Sequence, residues 1–257
     1  MLSAQDTDGR IDSAPLLVSE SVSICFDGQR VLDSVDFSLD AGEFVSILGP
    51  SGCGKTTVLR LVAGLAEPTS GKLAVQGEPR TAFVFQEPNL LPWRDVIGNV
   101  RLPLELLHVD AATQDRAIDS KLRMSGLTNA DYRKYPRMLS GGMKMRVSLA
   151  RAMVTNPDIL LLDEPFAAVD DLLRHQLNEE LLRIWLDQQW TALFVTHNVN
   201  EAVFLSQRIL IMGTRPGSII DTIRVPFPYP RSPDLRGDPE FTQLTLQISR
   251  RLRENSA

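Results

Sequence analysis

The nine residues Gly49-Pro50-Ser51-Gly52-Cys53-Gly54-Lys55-Thr56-Thr57 carry the most specific chemistry in this 257-residue chain. They fit G-x-x-x-x-G-K-[ST] at every fixed position, with the apolar run EFVSILG (43–49) leading in and TTVLRLVAG leading out. Glycines at such spacing let the backbone wrap an anion, so that successive N–H groups donate into phosphate oxygens. Lys55 adds a mobile positive charge for the β- and γ-phosphates. The Thr56 hydroxyl suits Mg2+, a hard cation that takes oxygen ligands and keeps several waters. Cys53 reads as a small side chain inside the loop rather than as a redox group.

A phosphate loop needs acids on a neighbouring strand. Ile159-Leu160-Leu161-Leu162-Asp163-Glu164 supplies them at the C-terminal end of an apolar run, where α/β proteins bind ligands. Asp163 fits the metal shell, and Glu164 fits the base that orients and deprotonates an attacking water. Two carboxylates alone would equally well just solvate a strand end; the loop beside them favours chemistry. A second glycine-rich helix start, Leu139-Ser140-Gly141-Gly142, precedes the apolar-periodic stretch from Val147 to Met153. Free N–H groups and the helix dipole make it an anion site too. One chain thus has two.

The elements that must position these residues follow from hydrophobic spacing. SVSICF (21–26), VDFSL (35–39), EFVSILG (43–49), KLAVQG (72–77) and TAFVFQ (81–86) predict strands, and TTVLRLVAG predicts a helix stopped at Gly64. From about 94 to 137 the spacing becomes helical, an insertion that with the following helix start spans about 94–150. Helices then alternate with apolar strands: helix 142–154, strand 158–163, helix 172–189, strand 191–197, helix 199–206, strand 208–213. Continuous apolar strands between helices imply a parallel sheet covered on both faces.

Composition narrows the classes. At 43% hydrophobic and 23% charged the chain is ordinary for a globular protein, and its net charge of −5 argues against a nucleic-acid partner. No run approaches the roughly 20 apolar residues that cross a bilayer. The polar, acidic start MLSAQDTDGRIDSAP lacks the pattern of a signal peptide. Two cysteines, Cys25 and Cys53, give no disulfide framework, and the expected compartment is the cytosol.

In this order, the phosphate loop, Gln86, LSGG, ILLLDEP (159–165) and His197 after TALFVT resemble the nucleotide-binding subunits of ATP-binding cassette (ABC) transporters. The resemblance runs over nearly the whole length. It implies an α/β P-loop NTPase with a mostly parallel sheet core, an antiparallel β subdomain and an inserted helical subdomain. The implied organisation is a tail (1–15), the ATP-binding domain (16–225) and a C-terminal proline-rich segment with a helix (226–257). ATP and Mg2+ are the implied cofactors, with Thr56, Asp163 and Gln86 at the metal. Glu164 and His197 are the implied catalytic pair, Gln86 the sensor linking the site to a membrane partner, and Asp170 part of a loop between sites. Phe26 resembles the aromatic residue that stacks on adenine, although a core phenylalanine fits its position as well. The resemblance gives Ser140, Gly141 and Gly142 to the ATP of a second copy, in a head-to-tail dimer. Met143 stands where the family more often has Gln, and its effect is expected to be modest.

Leu91-Pro92-Trp93-Arg94 and the stretch 215–244 resemble the nitrate/sulfonate/taurine importer subfamily. That implies a separate permease, an extracytoplasmic solute-binding protein acting indirectly, and a peripheral place on the cytoplasmic face of the inner membrane. A turn packing the insertion onto the core is a compatible reading of Leu91–Arg94. A soluble cassette working on nucleic acid or the ribosome, and a regulatory cassette without turnover, are the rival classes. The single-cassette length, the acidic balance and the intact Lys55, Asp163, Glu164 and His197 disfavour them.

Overall fold

A computed structural model describes residues 14–214 and 216–254. Most of the expected N-terminal tail, Arg215 and the last three residues lie outside that range. β1 (Leu17–Phe26) and β2 (Gln29–Leu39) form an antiparallel hairpin in which Phe26 pairs with Gln29 across Asp27-Gly28. Both turn residues have positive φ, as in the two-residue turn whose twist matches the strands. β3 (Phe44–Leu48) leaves for a second sheet and runs into α1 (Lys55–Val62), and β4 (Ser70–Val75) returns to lie beside β1. Next come β5 (Thr81–Val84) and the helices α2 (Val96–Leu106), α3 (Ala111–Met124) and α4 (Gly141–Met153). β6 (Ile159–Asp163), α5 (Asp171–Gln188), β7 (Thr191–Thr196), α6 (Val199–Leu205), β8 (Arg208–Met212) and β9 (Ile219–Arg224) follow, and α7 (Pro239–Glu254) ends the described chain.

The larger sheet has the order β5-β6-β7-β3-β8-β9, with the first five strands parallel and β9 antiparallel to β8. Its parallel strands are apolar at successive positions because both faces are covered. Phe44, Leu48, Phe194 and Ile209 face a core shared with α5 and α6, while Val45, Ile47, Leu193 and Val195 face α1 and the antiparallel sheet. Each such side chain contributes about 1.5–3 kcal/mol on burial. A third apolar cluster, including Val100, Leu122 and Val147, joins α2, α3 and α4. Among the described residues, no helix is long and apolar enough to cross a membrane.

Three features differ from the expected pattern. β2 begins at Gln29 rather than at 35, and the Asp27-Gly28 dipeptide is the hairpin signal for it. β5 stops at Val84, because its last ladder partner is Leu162, so Phe85 and Gln86 lie beyond the sheet. β9 has no counterpart in the expected elements. It is an edge strand with every second residue exposed, so its apolar signal is weak.

Candidate active site

The strand order decides where the chemistry lies. β6, β7 and β3 are neighbours, with Asp163 opposite Val195 and Thr196 opposite Leu48. Their carboxyl ends therefore deliver three things to one place: Asp163-Glu164, His197, and the loop that starts at Gly49. Glu164 departs from the strand with φ at +43°, a sparsely populated region for a residue with a side chain. Its N–H still donates to Val195 O at 3.0 Å, so the strand end holds the bend in place.

The contacts run as a chain across the three strand ends. Thr56 Oγ1 donates to Asp163 Oδ1 at 3.0 Å. Lys55 Nζ donates to Gly49 O at 2.8 Å and Pro50 O at 3.0 Å, and pairs with Glu164 Oε1 at 3.3 Å. Glu164 Oε2 lies 2.8 Å from His197 Nδ1. A carboxylate only accepts, so Nδ1 carries the proton and Nε2 is left as the second hydrogen-bonding atom of the ring. The Lys55 side chain is 3% exposed and that of His197 is 54% exposed, so the chain of contacts runs from the buried loop to the surface.

Burial raises the Asp163 carboxyl above the usual range, and the Thr56 hydrogen bond and the Lys55 charge only partly oppose it. A desolvated carboxylate of this kind gains from a cation. The 3.0 Å between the Thr56 and Asp163 oxygens equals the edge of an octahedron whose ligands sit about 2.1 Å from its centre, so the pair fits Mg2+. Burial also raises the Cys53 thiol, which stays protonated and is a poor nucleophile.

The loop itself ends at Gly54, whose φ of +100° begins α1 without a side-chain cap. The N–H groups of Lys55, Thr56 and Thr57 in the first turn are thus left for a ligand. A Cβ at Gly54 would lie 2.5 Å from Leu32 Cδ2, so the position requires glycine twice over. Ser51 and Gly52 are exposed, and Phe26 is half-exposed at the end of β1. Gln86 is exposed on the segment after β5.

The second glycine-rich start is elsewhere. Ser140 caps α4 by accepting from Met143 N at 3.3 Å, Gly141 is exposed, and Gly142 lies against Leu173 of α5. Met143 packs onto the cluster of α2, α3 and α4 rather than projecting as a polar contact would. Among the described residues, no hydrogen bond or ion pair joins 139–143 to 49–57.

Other positions gained structural partners that residue types alone did not reveal. Asp170 caps α5 through Leu173 N at 3.0 Å, and Arg174 donates to Phe166 O and Val169 O, shaping the 166–170 turn. Buried Asn99 accepts from Leu91 N and donates to the carbonyls of Leu91, Arg94 and Asp95. Trp93 in that turn is 70% exposed, so Asn99 rather than the indole fixes the turn on α2. A polar residue buried at helical spacing was the available signal. His108 and His175 are exposed.

A family model described as ABC transporter matches residues 32–167, more than half of the chain. The chain belongs to this family. The cassette is 44% identical over 231 residues to the aliphatic sulfonates import ATP-binding protein SsuB 1 of Mesorhizobium japonicum, covering 88% of this chain and 84% of that protein. It is 39% identical over 226 residues to the nitrate import ATP-binding protein NrtD of Synechococcus elongatus, covering 84% and 82%. A solved structure described as the dimeric, post-hydrolysis state of an ATP-binding cassette bound to ADP and phosphate matches with a TM-score of 0.72 and 27% identity, covering 82% of this chain and 99% of that one. The fold of this chain is that of the ABC cassette.

Proposed function

We propose that this cassette hydrolyses ATP to power import of a small anionic or organic solute, of the sulfonate or nitrate kind, through a separate permease at the inner face of the membrane. The observation that carries the proposal is the contact chain Lys55–Glu164–His197 beside Thr56–Asp163, at the ends of three adjacent strands. The sulfonate and nitrate importer relatives support the solute class.

In this reading the N–H groups of the 49–57 loop and the Lys55 ammonium bind the β- and γ-phosphates. Phe26 offers its half-exposed ring to the adenine. Thr56, Asp163 and Gln86 would hold Mg2+, which when bound neutralises phosphate charge. Glu164 orients a water and takes its proton as the water oxygen attacks the γ-phosphorus and ADP departs. His197 fixes the Glu164 carboxylate through Nδ1 and is the γ-phosphate contact.

Ser140 and the N–H groups of Gly141 and Gly142 cap the phosphate bound by a second copy, so two chains arranged head to tail enclose two nucleotides. The dimeric cassette relative supports this arrangement. Closure on ATP and release after hydrolysis move the permease, docked at Gln86 and the loop bearing exposed Trp93. A solute-binding protein outside the membrane delivers the solute, whose identity this chain does not read.

Glu164→Gln tests the reading. It keeps the shape and loses the base, so it should bind ATP, turn over about 10²–10⁴-fold more slowly and accumulate as a dimer on a sizing column. Wild-type turnover in this variant would remove Glu164 from the reaction.

A further inference from the structure

We propose that Tyr229 and Arg231 are positioning residues for His197, acting through α6; this rests on the assignment of Glu164 and His197 above. α6 has seven residues, about 10 Å of helix. So short a helix is marginal alone, and its last carbonyls have no partner within it. The segment that follows β9 supplies them. Arg231 Nη1 donates to Val203 O, Phe204 O and Ser206 O, each at 2.9 Å, and the Tyr229 hydroxyl donates to Leu205 O at 2.5 Å. Four consecutive carbonyls are thereby satisfied by two side chains.

These side chains are themselves fixed. The Arg231 guanidinium is buried, donates to Phe227 O through Nε and Nη2, and lies 4.1 Å from the centre of the Tyr229 ring. The Tyr229 ring packs on Trp185 of α5 at 4.9 Å. A buried cation is costly; among the described residues Arg231 pairs with no carboxylate, and its five hydrogen bonds all go to carbonyls, which is the geometry of a helix clamp.

The opposite end of α6 holds the histidine. Asn198 accepts from Asn200 N and Glu201 N, its own N–H donates to Thr196 Oγ1, and Thr196 Oγ1 donates to Glu201 Oε2. Residues 196 and 198 are thus both pinned to the first turn of α6, with His197 between them. Where α6 slides or tilts, His197 Nδ1 moves relative to Glu164 Oε2, now 2.8 Å away. The clamp sets that distance from one helix length away, without touching nucleotide.

The test uses the full chain carrying Tyr229→Phe or Arg231→Lys, with His197→Ala as reference. Tyr229→Phe deletes one hydroxyl and keeps the ring on Trp185, so it remains folded even where Arg231→Lys fails to. Both variants should lower kcat for ATP hydrolysis on the order of tenfold while KM for ATP stays within about twofold, because the glycine loop is untouched. Nitrogen-15 spectra of the three histidines, assigned with His197→Ala, should show His197 moving from a fixed Nδ1–H form toward tautomer averaging, with His108 and His175 unchanged. Unchanged His197 signals, or unchanged kcat in a folded Tyr229→Phe protein, would overturn the clamp. Full turnover in His197→Ala would instead overturn the reading of His197, and the clamp with it.

Discussion

The two glycine-rich helix starts look alike in sequence and are opposites in structure. The first, at 49–57, is met by its own chain: Lys55 is enclosed, Thr56 bonds Asp163, and Glu164 and His197 close the far side. Among the described residues, no hydrogen bond or ion pair joins the second, at 139–142, to the first. Ser140 accepts from Met143 N of its own helix and keeps its O–H as a donor, Gly142 is packed onto Leu173, and Gly141 is left at the surface. The same backbone device is thus ringed by the side chains of three strand ends in one place and left at the surface in the other.

Several substitutions would break or sharpen this contrast. Lys55→Ala removes the ammonium that lies 3.3 Å from Glu164 Oε1, and should weaken ATP binding by about 10–100-fold in a nucleotide titration. Unchanged affinity would mean the first start is not the cradle. Gly141→Asp places a carboxylate in the first turn of α4, where a Cβ meets nothing within 4 Å. It should raise the stability of the single chain by about 0.3–1 kcal/mol through the dipole, yet abolish ATP-driven dimerisation in the Glu164→Gln background. Loss of nucleotide affinity in the single chain would show instead that the second start serves its own site.

Asp163→Asn separates stability from function at the first start. Burial raises the Asp163 carboxyl, so its charged form costs stability above the folded-state pKa and that cost vanishes as pH falls through it. The asparagine variant should melt higher at pH 7, lose hydrolysis, and converge on the parent toward acid pH. A lower melting temperature at pH 7 would contradict the desolvation account. The smallest effect is expected at Met143. Its side chain packs on the helical cluster, so Met143→Gln should cost about 1 kcal/mol in denaturant unfolding and change ATPase activity less than severalfold.

Much of the site was legible because its residues are contiguous. Gly49 to Thr57 lie in one loop, Asp163-Glu164 end one strand and His197 ends another, so motif and hydrophobic run coincide. The parallel core was legible for the same reason, since strands such as Leu160–Leu162 and Ala192–Val195 are buried on both faces and cannot alternate. β9 was not legible. An edge strand with one solvated face has half the signal, and its pairing is decided by β8. Arg231 carried no signal either, because an arginine in a proline-rich stretch looks like surface until four carbonyls are seen around it.

The sequence by itself determined that a phosphate-loop motif, two acids and a histidine stand at the ends of apolar runs. It determined the second glycine-rich helix start just as clearly. Only the tertiary structure decided that the first set converges, because β3 lies beside β7 and β7 beside β6, an order unrelated to their order in the chain. It also decided that the second start stands apart, and that the short helix behind His197 is held at both ends. Spacing along a chain specifies faces and ends of elements. Which ends become neighbours is set by how the sheet is wound, and that energy is spread over the whole core.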